Sequence, residues 1–381
     1  MARRAKKEHD DCGIENEGRE LEAASRRPRP SLGMTTQPTV RRLGFFTRLL
    51  DRASAGDRYR LASEQIVHAE RHGFETAWVA QHHFHEDEGG LPSPFVFLAQ
   101  VAARTARIRL GTGIVTLPLE NAVRVAEDAA VLDLLSDGRL ELGLGSGATA
   151  SSFTAFGRDI ADKTEVFESA LATVRDALAG SALAGGDRLY PAAPQLLDRI
   201  WQATFSVAGG ARAGRAGDGL MLSRTQPRPS EAPGASLYEI QNPIVDAYLA
   251  ALPAGRSPRI LASRTLYVAD DRGEALRFAE IGLRRIADAF VAAGHRVPGH
   301  SVEELIAAFD VHIGTPEEAI ASLSADRTLD RVTDLVFQVH SVDPTHPYIL
   351  RSIELIADRV APALGWRAPD ARKPARLAAS R

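Results

Sequence analysis

The stretch Gln81-His82-His83-Phe84-His85-Glu86 places three imidazoles within four residues. A histidine exchanges a proton near neutral pH, so one of these held in a cleft is a candidate acid or base. An apolar run precedes them, and the reading is a strand from Thr76 to Phe84. Side chains alternate along a strand, which puts His82 and Phe84 on one side and His83 and His85 on the other. A histidine satisfied by backbone bonds is the plainer alternative. His83-x-His85 is also the spacing of paired metal ligands in barrel hydrolases. The later partners such a site needs are not evident beyond His340, so no metal is expected.

Glycine and serine mark three further strand ends. Gly111-Thr112-Gly113-Ile114 interrupts an apolar run, where glycine signals a bulge, a bend or a ligand close to the backbone. Gly143-x-Gly145-x-x-Ala148 fits a loose dinucleotide pattern, but no helix opens at once to meet a pyrophosphate. Its glycines read instead as room for a flat ligand. Ser206-Val207-Ala208-Gly209-Gly210 follows a strand and opens a small-residue helix. Its amides and hydroxyl suit a single phosphate, while tight helix packing is the competing explanation.

The elements that must position these residues alternate. Strands are expected at Arg42 to Phe46, Thr76 to Phe84, Ile108 to Thr116, Leu140 to Leu144, Ile200 to Phe205, Gly219 to Ser223, Ile260 to Val268 and Thr333 to Val339. Between them lie helical faces: Ala62, Ile66 and Ala69; Phe97, Val101 and Ala102; Val123, Ala130 and Leu134; Phe167, Leu171, Val174 and Leu178. A Pro-rich loop spans Pro227 to Pro243, and Ile349, Ile353, Ile356 and Val360 line the last helix. Eight strands alternating with helices predict a (β/α)8 TIM barrel, whose site lies at the C-terminal ends of the strands. The segment from Asp270 to Ile313 exceeds one crossover. It predicts insertions, with a loop from Gly273 to His312 over the site.

The 381 residues carry 44% hydrophobic content and a net charge of -3. That suffices for one large core and gives no reason to expect nucleic acid or a membrane as partner. Cys12 is the only cysteine, which excludes a disulfide framework and fits a reducing cytoplasm. No apolar run approaches the roughly 18 residues that span a bilayer. Residues 1–38 read as a disordered, charge-dense leader without a secretory signal, with Met34 a sensible start. Residues 39–366 read as the barrel domain and 367–381 as a flexible basic tail.

Taken in order, several motifs make the chain resemble the bacterial luciferase-like flavin monooxygenases. Gly73-Phe74-Glu75-Thr76-Ala77-Trp78 with Gln81-His82-His83-Phe84 is similar to that family's second strand and its ending. Gly111-Thr112, Leu117-Pro118, Arg124, Glu127-Asp128, Leu132-Asp133 and Ser136-Asp137-Gly138-Arg139 resemble its third-to-fourth-strand block, which Phe153 and Phe156-Gly157 continue. Ile313-Gly314-Thr315-Pro316-Glu317-Glu318 and Val360-Ala361-Pro362 resemble its C-terminal landmarks.

The resemblance implies reduced FMN from a separate reductase, bound in the barrel mouth, and O2 used through a flavin peroxide to oxidise a small, aldehyde-like substrate. It implies that His82 manages the proton and that a non-prolyl cis bond joins Gly113 and Ile114. It further implies that Thr112, Gly113, Ile114, Gly145, Ser146, Gly147, Ser206, Val207 and Gly209 hold the cofactor, and that the protein is a homodimer pairing through helices near the second and third strands. Phe45, Phe84 and Phe156 are candidate substrate walls or ordinary core. Two positions depart from the luciferase catalytic chain: Ser146 stands where that chain has a phosphate-binding arginine, and Gly145 where it has a reactive cysteine. The glutamate of the phosphate turn is Phe205 here. Light emission is therefore not expected, and Arg212 is a candidate replacement for the countercharge. A flavin-holding paralogue without turnover and a deazaflavin-dependent oxidoreductase are the alternatives.

Overall fold

The computed structural model describes residues 41–366, apart from 293–296, 298 and 340–341. The leader, the tail and His340 lie outside the described residues. The strands are β1 (Arg42–Thr47), β2 (Thr76–Val79), β3 (Arg109–Thr112), β4 (Val115–Thr116), β5 (Leu140–Gly145), β6 (Ile200–Ala203), β7 (Gly219–Leu222), β8 (Ile260–Val268), β9 (Val311–Gly314) and β10 (Asp334–Gln338). Every pairing is parallel. The order β10-β1-β2-β3-β5-β6-β7-β8 closes on itself because β8 also pairs with β10. This is the expected eight-stranded barrel. The two-residue β4 pairs with β5, and β9 joins β8 outside the ring.

The helices are α1 (Ala55–Arg71), α2 (Pro94–Ala102), α3 (Ala122–Leu135), α4 (Ala150–Ala155), α5 (Lys163–Leu178), α6 (Val207–Ala216), α7 (Leu237–Ala251), α8 (Arg272–Ala292), α9 (Val302–Ala308), α10 (Pro316–Ala325) and α11 (His346–Leu355). Most apolar stripes fall where their spacing predicts: Ala62, Ile66 and Ala69 of α1 and Phe167, Leu171, Val174 and Leu178 of α5 are buried. In α3 the stripe is rotated. Val125, Ala129 and Leu132 are buried, whereas Leu134 is 59% exposed.

Several boundaries differ from expectation. β2 stops at Val79, and the chain then leaves the sheet; His82 donates its amide to the Leu91 carbonyl, and Phe84 takes a left-handed φ of 67°. Strand alternation therefore does not place His82 through His85. The expected loop to Pro243 ends early. α7 begins at Leu237 behind a capping box of Ser236 and Glu239, and Pro243 sits inside it. The long insertion forms α8, α9 and β9 on the flank of β8.

The barrel interior is layered. At its N-terminal end, Glu141 meets Arg109 at 2.5 Å and Arg42 at 3.3 Å, while Arg42 also meets Asp334 at 2.7 Å. The Trp201 indole donates to Glu141 at 2.7 Å. Burial pushes the Glu141 carboxyl up, but Arg109, Arg42 and these hydrogen bonds outweigh it and hold it below its usual value. Above this layer Trp78 and Trp201 pack edge to face, 5.7 Å apart. Gly111 and Gly219 make room for them: a Cβ on either would lie 2.2 Å from a tryptophan ring. Gly111 thus admits Trp78, not a ligand. Met221, Leu261 and Val336 complete this apolar floor, with Phe46, Ile114 and Ala203 against it.

Candidate functional site

A cavity of about 590 Å3 opens at the C-terminal ends of the strands, within the range of small-ligand pockets. All eight barrel strands or the turns after them contribute to it. Of the residues singled out in the sequence, it gathers His82, Gly113, Ile114, Gly145, Ser146, Gly147 and Ser206. Three others stand behind the wall. Thr112 is buried, its hydroxyl donating to the Gly143 carbonyl at 2.8 Å and accepting from the Gly143 amide at 2.9 Å; it clamps β3 to β5. Gly209 is buried under Ser206, and Val207 is 50% exposed outside the lining.

The aromatic walls also need correcting. Phe45 is 2% exposed in the layer between barrel and helices; its neighbour Phe46 faces the cavity. The reason is strand parity: Arg42, Gly44 and Phe46 share the inward side. Phe84 (69% exposed) and Phe156 (43%) pack together at 5.7 Å on the rim, with His83 beside Phe156 at 4.9 Å; neither phenyl lines the cavity. Among the described residues, none from 273 to 312 lines it either, because that insertion follows β9 outward.

His82 is fixed by its surroundings. Gln81, just before it, is pinned on three sides: its side-chain amide donates to Glu120 at 2.7 Å and the Pro92 carbonyl at 3.1 Å, and its oxygen accepts from Thr116 N at 2.7 Å. The loop then folds back so closely that a Cβ on Gly89 would come within 2.5 Å of the His82 ring. Burial, together with the nearby charge of Arg48 and with His83, lowers the His82 imidazole to about 3. It is neutral at physiological pH, and it lines the cavity. The Glu88 carboxylate approaches its Nδ1 at 3.7 Å, too far for a hydrogen bond. His83 also lines the cavity, and its buried Nε2 has no hydrogen-bond partner.

At the wall formed by β3 and β5, the Gly113–Ile114 peptide bond is cis, as the resemblance implied. Gly145 lies against Ile114: a Cβ there would approach the isoleucine side chain to 2.9 Å. Beyond this wall lies a polar corner. Ser146 and Gly147 follow β5, and Lys163 opens α5 with its ammonium 3.5 Å from the Gly147 carbonyl. Ser206 caps α6, accepting from Gly209 N at 3.1 Å, which leaves the Val207 and Ala208 amides without intrahelical partners. The packing explanation of this turn has its own support, because Gly210 and Gly214 bring α6 against the α7 backbone. Arg212 lines the cavity but is committed to Gln202 at 2.9 Å and Glu168 at 3.1 Å. Lys163 is the less encumbered cation, and the sequence reading missed it.

Arg48 stands across the mouth, after β1, and Arg224 follows β7, the strand beside β6. The lining holds four cations, Arg48, Lys163, Arg212 and Arg224, and among its residues no aspartate or glutamate. Such a surface attracts anions. A flavin mononucleotide fits this donor set: amides, serines and a lysine for a phosphate, an apolar floor for a ring, and the orphaned His83 Nε2 for a polar edge. His83 and His85 belong to no set of three potential metal ligands among the described residues. The set that does occur, His68, His72 and Glu354, is on α1, its C-terminal end and α11. No described helix is long and apolar enough to cross a membrane.

Comparison with known proteins agrees with this geometry. Residues 43–330 match the family model described as luciferase-like monooxygenase. The chain is 30% identical over 336 residues to 4-hydroxyprotoasukamycin monooxygenase of Streptomyces nodosus subsp. asukaensis, covering 79% of this chain and 88% of that one. The crystal structure of monooxygenase RslO1 from Streptomyces bottropensis superposes with a TM-score of 0.69 at 27% identity, covering 85% and 99% of the two chains. A type II Baeyer-Villiger monooxygenase from Pseudomonas putida in complex with FMN shares the fold at 18% identity (TM-score 0.66; 85% and 98% covered). A coenzyme F420-dependent reductase from Methanopyrus kandleri shares it at 17% (TM-score 0.60; 84% and 98%). The chain belongs to the luciferase-like monooxygenases, a family of TIM-barrel oxidoreductases.

Proposed function

We propose that the protein is a flavin-dependent monooxygenase that uses reduced FMN, delivered by a separate reductase, and O2 to oxidise a small organic substrate. The observation that carries this reading is the convergence of His82, Gly113, Ser146 and Ser206 on one cation-rich cavity. Bound FMN would supply the oxygen chemistry. The chain's own residues bind, exclude water and manage protons. Lys163, Ser146 and the opening amides of α6 would hold the phosphate. The apolar floor from Trp78 to Val336 keeps the lower cavity dry. Neutral His82 takes up a proton at the reacting centre, and an anion bound beside Arg48 would raise its basicity. Oxygen uptake with reductase-supplied FMN and a panel of aldehydes and ketones tests the reading. Substrate-dependent uptake, lost by at least about tenfold in His82→Ala, is expected; uptake that ignores both substrate and variant would remove it. Titration with FMN and with F420 decides between flavin and deazaflavin. The homodimer expectation draws support from the apolar side chains that α2 and α3 expose: Val96 (72%), Leu134 (59%) and Leu135 (61%). Leu134→Glu should then yield monomers in sedimentation.

A further inference from the structure

The cavity carries more positive charge than one phosphate needs. Lys163, with Ser146 and Ser206, serves the corner between β5 and β6. Arg48 stands across the ring, after β1, and Arg224 follows β7, the strand beside β6; β8 and β10 lie between the two arginines. Ser263 of β8 and Gln338 of β10 line the cavity there.

Neither guanidinium forms an ion pair within 4 Å among the described residues. Arg48 gives one hydrogen bond, to the Glu88 main-chain carbonyl, and its buried Nε has no partner. Glu88, Asp87 and Asp343 act on it only through space, against Arg285. Arg224 is placed firmly: its amide donates to Ser263 Oγ at 3.0 Å, and the next residue, Thr225, is tied to Ser223. Among the described residues its side chain meets no acid. Burial and the repulsion of Arg48 lower it to about 9, so it remains charged at neutral pH. Folding has left two like charges lining one cavity where burial already disfavours each. Arrangements of that kind persist when an anion completes them.

We propose that Arg48 and Arg224 form a second anion site in the same cavity, which holds a carboxylate or sulfonate group of the substrate. The proposal rests on the flavin reading only in taking the corner near Lys163 for the cofactor. Two guanidinium forks suit an oxyanion, which each can meet with paired N–H groups. The floor below them, Phe46, Met221, Leu261 and Val336, is apolar. The substrate class is therefore an amphiphile: a charged head at the arginines and an apolar body over the floor. His82, close enough to Arg48 to feel its charge, would then lie beside the body of the substrate.

Calorimetric titration tests this directly with octanoate, octane-1-sulfonate and the neutral octanamide, on cofactor-free protein and on protein with FMN. Both anions are expected to bind at least tenfold more tightly than octanamide. Arg224→Met should abolish that preference, and Arg224→Lys should restore part of it. FMN affinity should change less than twofold in either variant. Equal binding of octanoate and octanamide by the wild type overturns the proposal. So does a tenfold loss of FMN or F420 affinity in Arg224→Met, which would assign the pair to the cofactor. Failure of FMN to bind the wild type removes the flavin reading, while anion preference in the cofactor-free protein still supports the arginine pair.

Discussion

The two ends of the barrel interior use the same charged residue types to opposite ends. At the N-terminal end Arg42 and Arg109 close on Glu141, with Asp334 and the Trp201 indole in the same network. At the mouth Arg48, Lys163 and Arg224 face the cavity with no carboxylate among the lining residues. Paired charges under a tryptophan layer are a structural plug. Charges above it without a carboxylate in the lining are open to an anionic ligand. What separates structure from function here is the presence of a partner, not the kind of residue.

The largest effect that could break this contrast is at the plug. Glu141→Leu removes the partner of two half-buried arginines and is expected to cost about 3 kcal/mol in chemical denaturation. The figure is at the low end because Arg42 and Arg109 keep 23% and 26% side-chain exposure. Arg224→Met, made at the mouth, should leave stability unchanged or raised. A plug variant as stable as wild type, or a mouth variant that loses as much, would erase the distinction. Next comes the tryptophan layer. Gly111→Ala drives a methyl into Trp78 and should lose about 1–3 kcal/mol by thermal unfolding. Lys163→Met sharpens the assignment of the mouth. It should weaken FMN binding about tenfold, or about 1.4 kcal/mol, with the folding midpoint unmoved.

The last comparison is the pH dependence. His82 is lowered in the folded chain, to about 3 from an ordinary 6.5. The unfolded chain therefore binds more protons between those values, and the stabilisation is present above about pH 6.5 and lost as pH falls toward 3. His312, lowered to about 4 by burial and by Arg264, titrates in the same window. The informative quantity is the difference: His82→Gln should lose less stability than wild type between pH 6.5 and 4. Parallel curves would mean that the imidazole is not held neutral by the fold.

The barrel was legible because parallel strands, buried on both faces, read as bounded apolar runs, and helix faces repeat at their own period. The strand-end motifs were legible for the same reason, and seven of their residues meet in one cavity. What failed is local. Phe45 was preferred to Phe46 although Arg42, Gly44 and Phe46 share the inward parity, which also carries Arg48 into the mouth. Alternation was extended through His85 although the chain leaves the sheet after Val79. Lys163 reaches the site only through α4 and the turn that follows, a path without periodic signal. Arg224 breaks the parity of Met221 and Ser223, because the turn after β7 redirects it. Pairing decides which charge is structural, and pairing is a property of space rather than of spacing.

The central claim is that the mouth is built to hold an anionic cofactor. Titrating the wild-type protein with FMN and with riboflavin, the same ring without the phosphate, tests it most directly. FMN is expected to bind at least tenfold more tightly at low ionic strength, with the gap narrowing as salt screens the cations. Equal affinity for the two, insensitive to salt, would contradict it.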